Sequence, residues 1–359
     1  MSYSRINVLQ AAVVATALLG AAGSQAQQSA ETIVRNHITV RQADIDAAYG
    51  VKSSFYHVMA ANVPGAKQRA TALNAENDRR VAESRVADPD TVRPEALTEP
   101  YFFPADIATT QGGATLMTTV NHALYVDLTG TVAANWGDPE GYLTSLGKSR
   151  FIHLVDQYTG STAIGRYTVG ADANISYGFF GSVIYEHELW AIVYAAASKQ
   201  GYGAGPGNLY HIFLPKGIDT CFDETAECYS PDNGSTWAFC AYHSAVTFSD
   251  IGTVLFSVEP YQDVPGCAVQ TPSPNGQLAD STNSVLSHET FEAITDPLPG
   301  SGWINRVSLD LNGYEISDEC QPLGNSDYDF LVPTFKIDDK EYEVQLEYSN
   351  KYHACSYQP

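Results

Sequence analysis

The stretch Ser287-His288-Glu289-Thr290-Phe291-Glu292-Ala293-Ile294-Thr295-Asp296-Pro297 carries the residue types a metal centre needs, at helical spacing. On a helix, His288 and Glu292 stand one turn apart on one face, where both side chains reach a single ion. Glu289 lies beside that ion without having to ligate it. This is the logic of the His-Glu-x-x-His metallopeptidase helix, with Glu292 in place of the second histidine. Glu289 is then the catalytic base that takes a proton from water, while the ion polarises the carbonyl under attack. Asp280 or Ser281 can cap the start of this helix and Pro297 ends it, with Val285, Phe291 and Ile294 facing the core.

A His-acid-x-x-acid pattern arises by chance in roughly one chain in ten of this composition, so the reading needs further ligands. Asp296 falls at the helix C-terminus, where the macrodipole disfavours an anion, and this marks it as a reserve metal ligand or a supporting carboxylate. Asn312-Gly313 makes a tight turn that presents Glu315 and Asp318 beside Cys320, and Asp318 is the first candidate for the third ligand. One neutral imidazole and two carboxylates cancel the charge of a divalent ion. Water at such an ion is acidified less than in a three-histidine site, and oxygen-rich ligation accepts Mn²⁺ or Ca²⁺ as well as Zn²⁺. His187-Glu188 repeats the His-Glu pair, but its i+4 residue is Ala191, so it reads as structural. His211 and His243 read as strand or loop residues rather than ligands. The chain has no Gly-x-Ser-x-Gly elbow, which sets a serine hydrolase aside.

The elements that must position these residues are legible in outline. Val120–Leu128 and Phe151–Gln157 are short runs rich in β-branched and aromatic residues, read as strands. Val183–Lys199 is the longest helical candidate, Leu209–Leu214 a buried strand ended by Pro215, and Thr253–Val258 another strand. Strand, helix and strand in succession predict an α/β fold: a zincin-like mixed sheet with packed helices and disulfide-stapled loops. Residues 114–359 form the expected metal-site domain. Residues 27–113 have a different texture, Ala-rich and charged, then broken by Pro89, Pro94, Pro100 and Pro104. They read either as a helical pro-segment or pre-domain with a Pro-rich linker, or as a helical subdomain packed on the main body.

Residues 1–26 read as a secretory signal. Met1–Asn7 is a short polar leader with Arg5, Val8–Ala22 is apolar, and Ser24-Gln25-Ala26 is a small-x-small site with cleavage after Ala26. The expected location is secreted or periplasmic, with no membrane span once the signal is removed. The net charge of −22, from 41 acidic and 19 basic residues, excludes nucleic acid and anionic membranes as natural partners. Six cysteines in an exported chain predict three disulfides, and the local pairing Cys221–Cys228, Cys240–Cys267 and Cys320–Cys355 is the expectation.

Ser287-His288-Glu289, Glu292, Thr295-Asp296-Pro297, Trp303 and Gly313–Cys320 together resemble the C-terminal part of the phosphate-induced protein 1 family, which includes the exordium-like secreted proteins. Tyr210–Pro215, Cys240–Ser244 and Pro274-Asn275-Gly276 fit the same pattern in the same order, so the resemblance spans roughly Leu116 to Cys355. It implies an exported protein associated with cell walls or matrix. Two functions follow as expectations. One is a zinc peptidase-like hydrolase acting on a protein, peptide or cell-wall substrate. The other is a non-catalytic wall- or matrix-associated protein in which the same acidic cluster holds a structural ion. The 22 tyrosines and four tryptophans could furnish stacking surfaces for carbohydrate in the second case.

Overall fold

The computed structural model describes residues 35–87, 103–109, 113–127, 136–178, 181–199, 202–222, 227–306, 308, 310–321 and 329–359. The expected export signal lies outside the described residues, as do Pro89, Pro94 and Pro100. The first half of the chain runs β1 (Asn36–Thr39), α1 (Gln42–Ala48), β2 (Ser53–Ala60), α2 (Ala66–Ala87), β3 (Thr119–Asp127), α3 (Pro139–Lys148), a 3-10 turn (Phe151–Val155) and α4 (Asp156–Thr159). Next come β4 (Tyr167–Val169), β5 (Ala173–Ser176), β6 (Val183–Tyr185), α5 (Glu186–Lys199), β7 (Asn208–Phe213), β8 (Asp219–Cys221) and β9 (Cys228–Tyr229). The chain continues through β10 (Phe239–Phe248), β11 (Gly252–Glu259), α6 (Gln277–Thr295) and a second 3-10 turn (Asp318–Cys320). It closes with two small hairpins, β12 (Thr334–Ile337) with β13 (Lys340–Glu343), and β14 (Glu347–Ser349) with β15 (Ala354–Ser356).

The fold is mixed α/β, as expected, around an eight-stranded mixed sheet ordered β1-β5-β3-β7-β11-β10-β2, with β4 paired to β3. Pairings from β1 to β11 are parallel, whereas β10 runs antiparallel to both β11 and β2. β7 and β10 are buried along almost their whole length, consistent with their near-continuous apolar and aromatic sequences in a sheet covered on both faces. Strand alternation sends Tyr56, Val58, Tyr242, Phe256, Val258, Tyr210, Ile212 and Leu124 to one face, packed with Leu189, Ile192 and Ala196 of α5. Ala123, Tyr125, Leu209, Phe213, Ala245 and Leu255 take the other face, beneath Leu286, Phe291 and Ile294 of α6 and Leu143 and Leu146 of α3.

That second face is where the polar residues collect. The register sets His57, His243, Ser257, His211 and Ala123 in one row across β2, β10, β11, β7 and β3. α6 lies over β10 and β11 on this side, so the helix and the histidine row face each other.

The boundary expected at residue 113 is corrected. Arg35–Pro359 forms one compact unit, and β1 and β2 belong to the main sheet. β2 is an edge strand, and α2 satisfies its outward backbone through side chains. Asn77 Oδ1 accepts from the Tyr56 N–H and Asn74 Oδ1 from the Val58 N–H, each at 2.9 Å. Arg80 donates to the Ser54 carbonyl at 2.8 Å. These alternate contacts explain why α2 is weakly amphipathic: part of its inward face binds backbone, beside the buried Ala66, Ala70, Leu73 and Val81.

Two local expectations also change. Phe151–Gln157 is helical rather than a strand; Ser149 Oγ accepts from the Phe151 and Ile152 N–H groups and starts the turn, and Phe151 stacks on Phe291 of α6. α6 starts one turn earlier than expected, at Gln277 after Gly276, whose φ of 88° a side chain would resist. Asp280 instead accepts from the Asn275 N–H at 2.9 Å and ties the first turn to the preceding loop. The helix ends at Thr295, ahead of Pro297.

The three disulfides are Cys221–Cys228, Cys240–Cys267 and Cys320–Cys355, with no cysteine left free. No helix among the described residues is long and apolar enough to cross a membrane.

Candidate metal centre

Four of the five residues expected at the site meet in the interior: His288, Glu289 and Glu292 from α6, and Asp318 from the second 3-10 turn. His288 Nε2 lies 3.0 Å from Glu292 Oε1 and 3.8 Å from Asp318 Oδ1. The turn that brings Asp318 in begins at Gly313, whose φ of 88° needs a glycine, and the Cys320–Cys355 bond pins its far end.

Asp296 is the exception. Its carboxylate accepts from the backbone N–H groups of Gly300, Ser301 and Gly302 at 2.7, 3.2 and 2.6 Å, so it anchors the loop after α6. A Cβ at Gly302 would collide with the Thr295 carbonyl, and this close approach lets the loop wrap the carboxylate. The anion at the helix C-terminus thus has a local cause, and Asp296 joins neither group of close-set ligand atoms described below.

Three further residues complete the cluster. His57 of β2 places Nε2 2.7 Å from Asp318 Oδ2 and Nδ1 3.3 Å from Glu315 Oε1. His243 of β10 places Nδ1 3.4 Å from Glu289 Oε2 and 3.5 Å from Glu292 Oε2. Glu315 also comes within 3.7 Å of His243 Nε2. The expectation that His243 is a plain strand residue is therefore corrected. His211, by contrast, is a hydrogen-bonded core histidine, between Ser257 Oγ at 2.8 Å and Asn121 Oδ1 at 3.0 Å, and burial pulls its pKa down to about 3. His187 stacks on Tyr49, remote in sequence from every ligand.

Every one of the seven side chains is buried; Asp318, at 8% exposure, is the least so. Both carboxylate oxygens of Glu289, Glu292 and Glu315 lack a hydrogen bond, as do His243 Nδ1 and His288 Nε2. Ionised groups in such a place need a cation, since isolated burial of charge costs many kcal/mol. Burial drives the Glu289 and Glu315 carboxyls up. Burial also opposes ionisation of Glu292, but the facing His288 and His243 outweigh it and hold that carboxyl below its usual range. Burial would lower His243 too, yet Glu289 and Glu292 raise it to about 10.

The histidines are oriented from behind. His243 Nε2 meets the Asp296 carbonyl at 3.2 Å; a carbonyl can only accept, so the proton sits on Nε2. His288 Nδ1 meets Gln345 Oε1 at 3.2 Å, and the Gln345 amide donates to the Ser317 carbonyl at 2.9 Å, which fixes which end faces the ring. In the neutral form that metal binding requires, these outer partners leave His243 Nδ1 and His288 Nε2 to face the carboxylate oxygens. This is the arrangement that outer partners impose on metal-ligating histidines.

Spacing fits the same reading. Two ligands at about 2.0–2.1 Å from a tetrahedral ion stand about 3.3 Å apart. The histidine–carboxylate separations of 3.0, 3.4, 3.5 and 3.8 Å bracket that value. Two sets, His57–Glu292–Asp318 and His243–Glu289–Glu292, each bring their ligand atoms within 4.8 Å of one another. The donor set of imidazole nitrogen and carboxylate oxygen suits Zn²⁺ or Mn²⁺.

Set against known protein families, curated proteins and solved structures, the chain matches none.

Proposed function

We propose that this chain is a metal-dependent hydrolase whose ion is held by His288, Glu292 and Asp318 with His57 beside them. The observation that carries the reading is the convergence of buried, unbonded histidine nitrogens and carboxylate oxygens at ligand spacing. A divalent ion supplies charge for polarising a carbonyl and activating water. The chain's own contribution is to orient the imidazoles of His288 and His243 through Gln345 and the Asp296 carbonyl. It also places Glu289, with both carboxyl oxygens free of hydrogen bonds and Oε2 3.4 Å from His243 Nδ1, where it can serve as the proton acceptor. Peptide bonds are the first substrate class to test, and the three disulfides support an activity outside the cytoplasm.

One observation favours a second reading. All seven cluster residues are at most 8% exposed, which suits an ion that braces the fold of a wall- or matrix-associated protein. Metal analysis of the purified chain beside His288→Ala and Glu289→Gln separates the two. A hydrolase loses its ion in His288→Ala, and in Glu289→Gln loses cleavage of a general protein substrate. Equal metal in wild type and His288→Ala removes the metal assignment. A metal-loaded wild type that is inert towards protein and cell-wall substrates leaves the bracing role.

A further inference from the structure

The cluster holds more ligands than one ion uses. Two groups of close-set ligand atoms, His57–Glu292–Asp318 and His243–Glu289–Glu292, share Glu292. Glu292 turns Oε1 toward His288, at 3.0 Å, and Oε2 toward His243, at 3.5 Å, so its two oxygens serve opposite sides. On the His243 side, the ring nitrogen and both Glu289 oxygens have no hydrogen bond and are fully enclosed.

Resting on the metal-centre reading above, we propose that the site takes two divalent transition-metal cations bridged by the Glu292 carboxylate. The first is held by His57, His288 and Asp318, and the second by His243 and Glu289. In this arrangement one Glu289 oxygen is a ligand and the other remains the proton acceptor. Glu315 lies 3.3 Å behind His57 Nδ1, and the Asp296 carbonyl positions His243 through Nε2. Bridged ions in such centres lie about 3.5–4 Å apart, which one carboxylate spans.

The test is stoichiometry and spin coupling in the full chain refolded with Mn²⁺ and freed of excess ion. Two Mn²⁺ per chain with an exchange-coupled electron paramagnetic resonance spectrum is the expected result. His243→Ala should then retain one ion and give the spectrum of isolated Mn²⁺. Glu289→Gln, which preserves shape, gives a second variant should His243→Ala fail to fold, and it should lower the affinity of one ion at least tenfold. One ion per wild-type chain overturns the two-ion centre while leaving the metal reading intact. Two ions unchanged in both variants also overturn it. No ion in the wild type overturns both readings, leaving protonated histidines as the only balancing charge.

Discussion

His57 Nε2 lies 2.7 Å from Asp318 Oδ2, so two residues 261 positions apart in sequence share one hydrogen-bonding contact at the heart of the molecule. The contact joins the sheet's edge strand to the turn that follows α6. It makes the first hundred residues part of the site. Replacing His57 by Ala should leave secondary structure intact by circular dichroism and weaken metal binding by on the order of 10- to 100-fold. A chain starting at residue 114 lacks β1, β2, α2 and His57, and should neither bind metal nor show a cooperative melt. A folded, metal-binding fragment would contradict the integration of β2.

Gln345 touches no carboxylate of the cluster, yet it decides which nitrogen of His288 faces inward. Gln345→Ala should lower metal affinity about tenfold or more without removing a ligand. Gln345→Glu restores an acceptor behind Nδ1 and should recover most of that loss. Isothermal titration with Zn²⁺ on both variants reads this directly, and equal affinities in the two would refute the orienting role.

Asp296 makes the opposite prediction. Its carboxylate serves three backbone N–H groups and no histidine nitrogen, so Asp296→Ala should destabilise by roughly 2–4 kcal/mol. Bound metal per folded chain should not change, because the group that meets His243 is the Asp296 main-chain carbonyl. Denaturant melts paired with elemental analysis separate the two effects.

A pH effect arises away from the cluster, at Glu186. Burial raises this carboxyl from 4.5 to about 8, against the opposing charge of Arg80, and its Oε1 has no hydrogen bond. Between those two pH values the folded chain binds a proton that the unfolded chain has released, so stability falls as pH rises. Each pH unit in that window is worth about 1.4 kcal/mol. Glu186→Gln should therefore gain about 4 kcal/mol relative to wild type at pH 8 compared with pH 4.5. Melts that differ equally at both pH values would rule out this linkage.

Some of this was legible in the sequence and some was not. His288 and Glu292 could be found because helical spacing alone puts them on one face, and Asp318 because a glycine turn and a cysteine bracket it. The disulfide pairing followed local spacing, and the strands at 208–213 and 252–259 followed β-branched and aromatic runs. His57 and His243 carry no such local signal. They meet only through the register of β2 with β10, a contact between distant segments. Tyr56-His57-Val58 does alternate inward and outward about a histidine, and the same is true around His243, but a core histidine such as His211 has an identical pattern. α2 is hard to read for a related reason: its buried stripe of Ala66, Ala70, Leu73 and Val81 is mostly small residues and is interrupted by Asn77, which satisfies strand backbone. The role of the Asp296 carboxylate is not legible because its partners are backbone N–H groups, which have no sequence signature beyond the Gly300-Ser301-Gly302 run.

α6 is buried along every residue from Asp280 to Thr295, an unusual condition for a helix bearing His and Glu. The consequence is kinetic. If an ion is seated beneath it as proposed, it would leave only when that roof lifts, and its residence time would be set by the opening rate of the fold and not by ligand strength. The identity of such an ion would be settled by what is present when the chain closes, and a chelator added afterwards should strip it at the same slow rate whatever its own affinity.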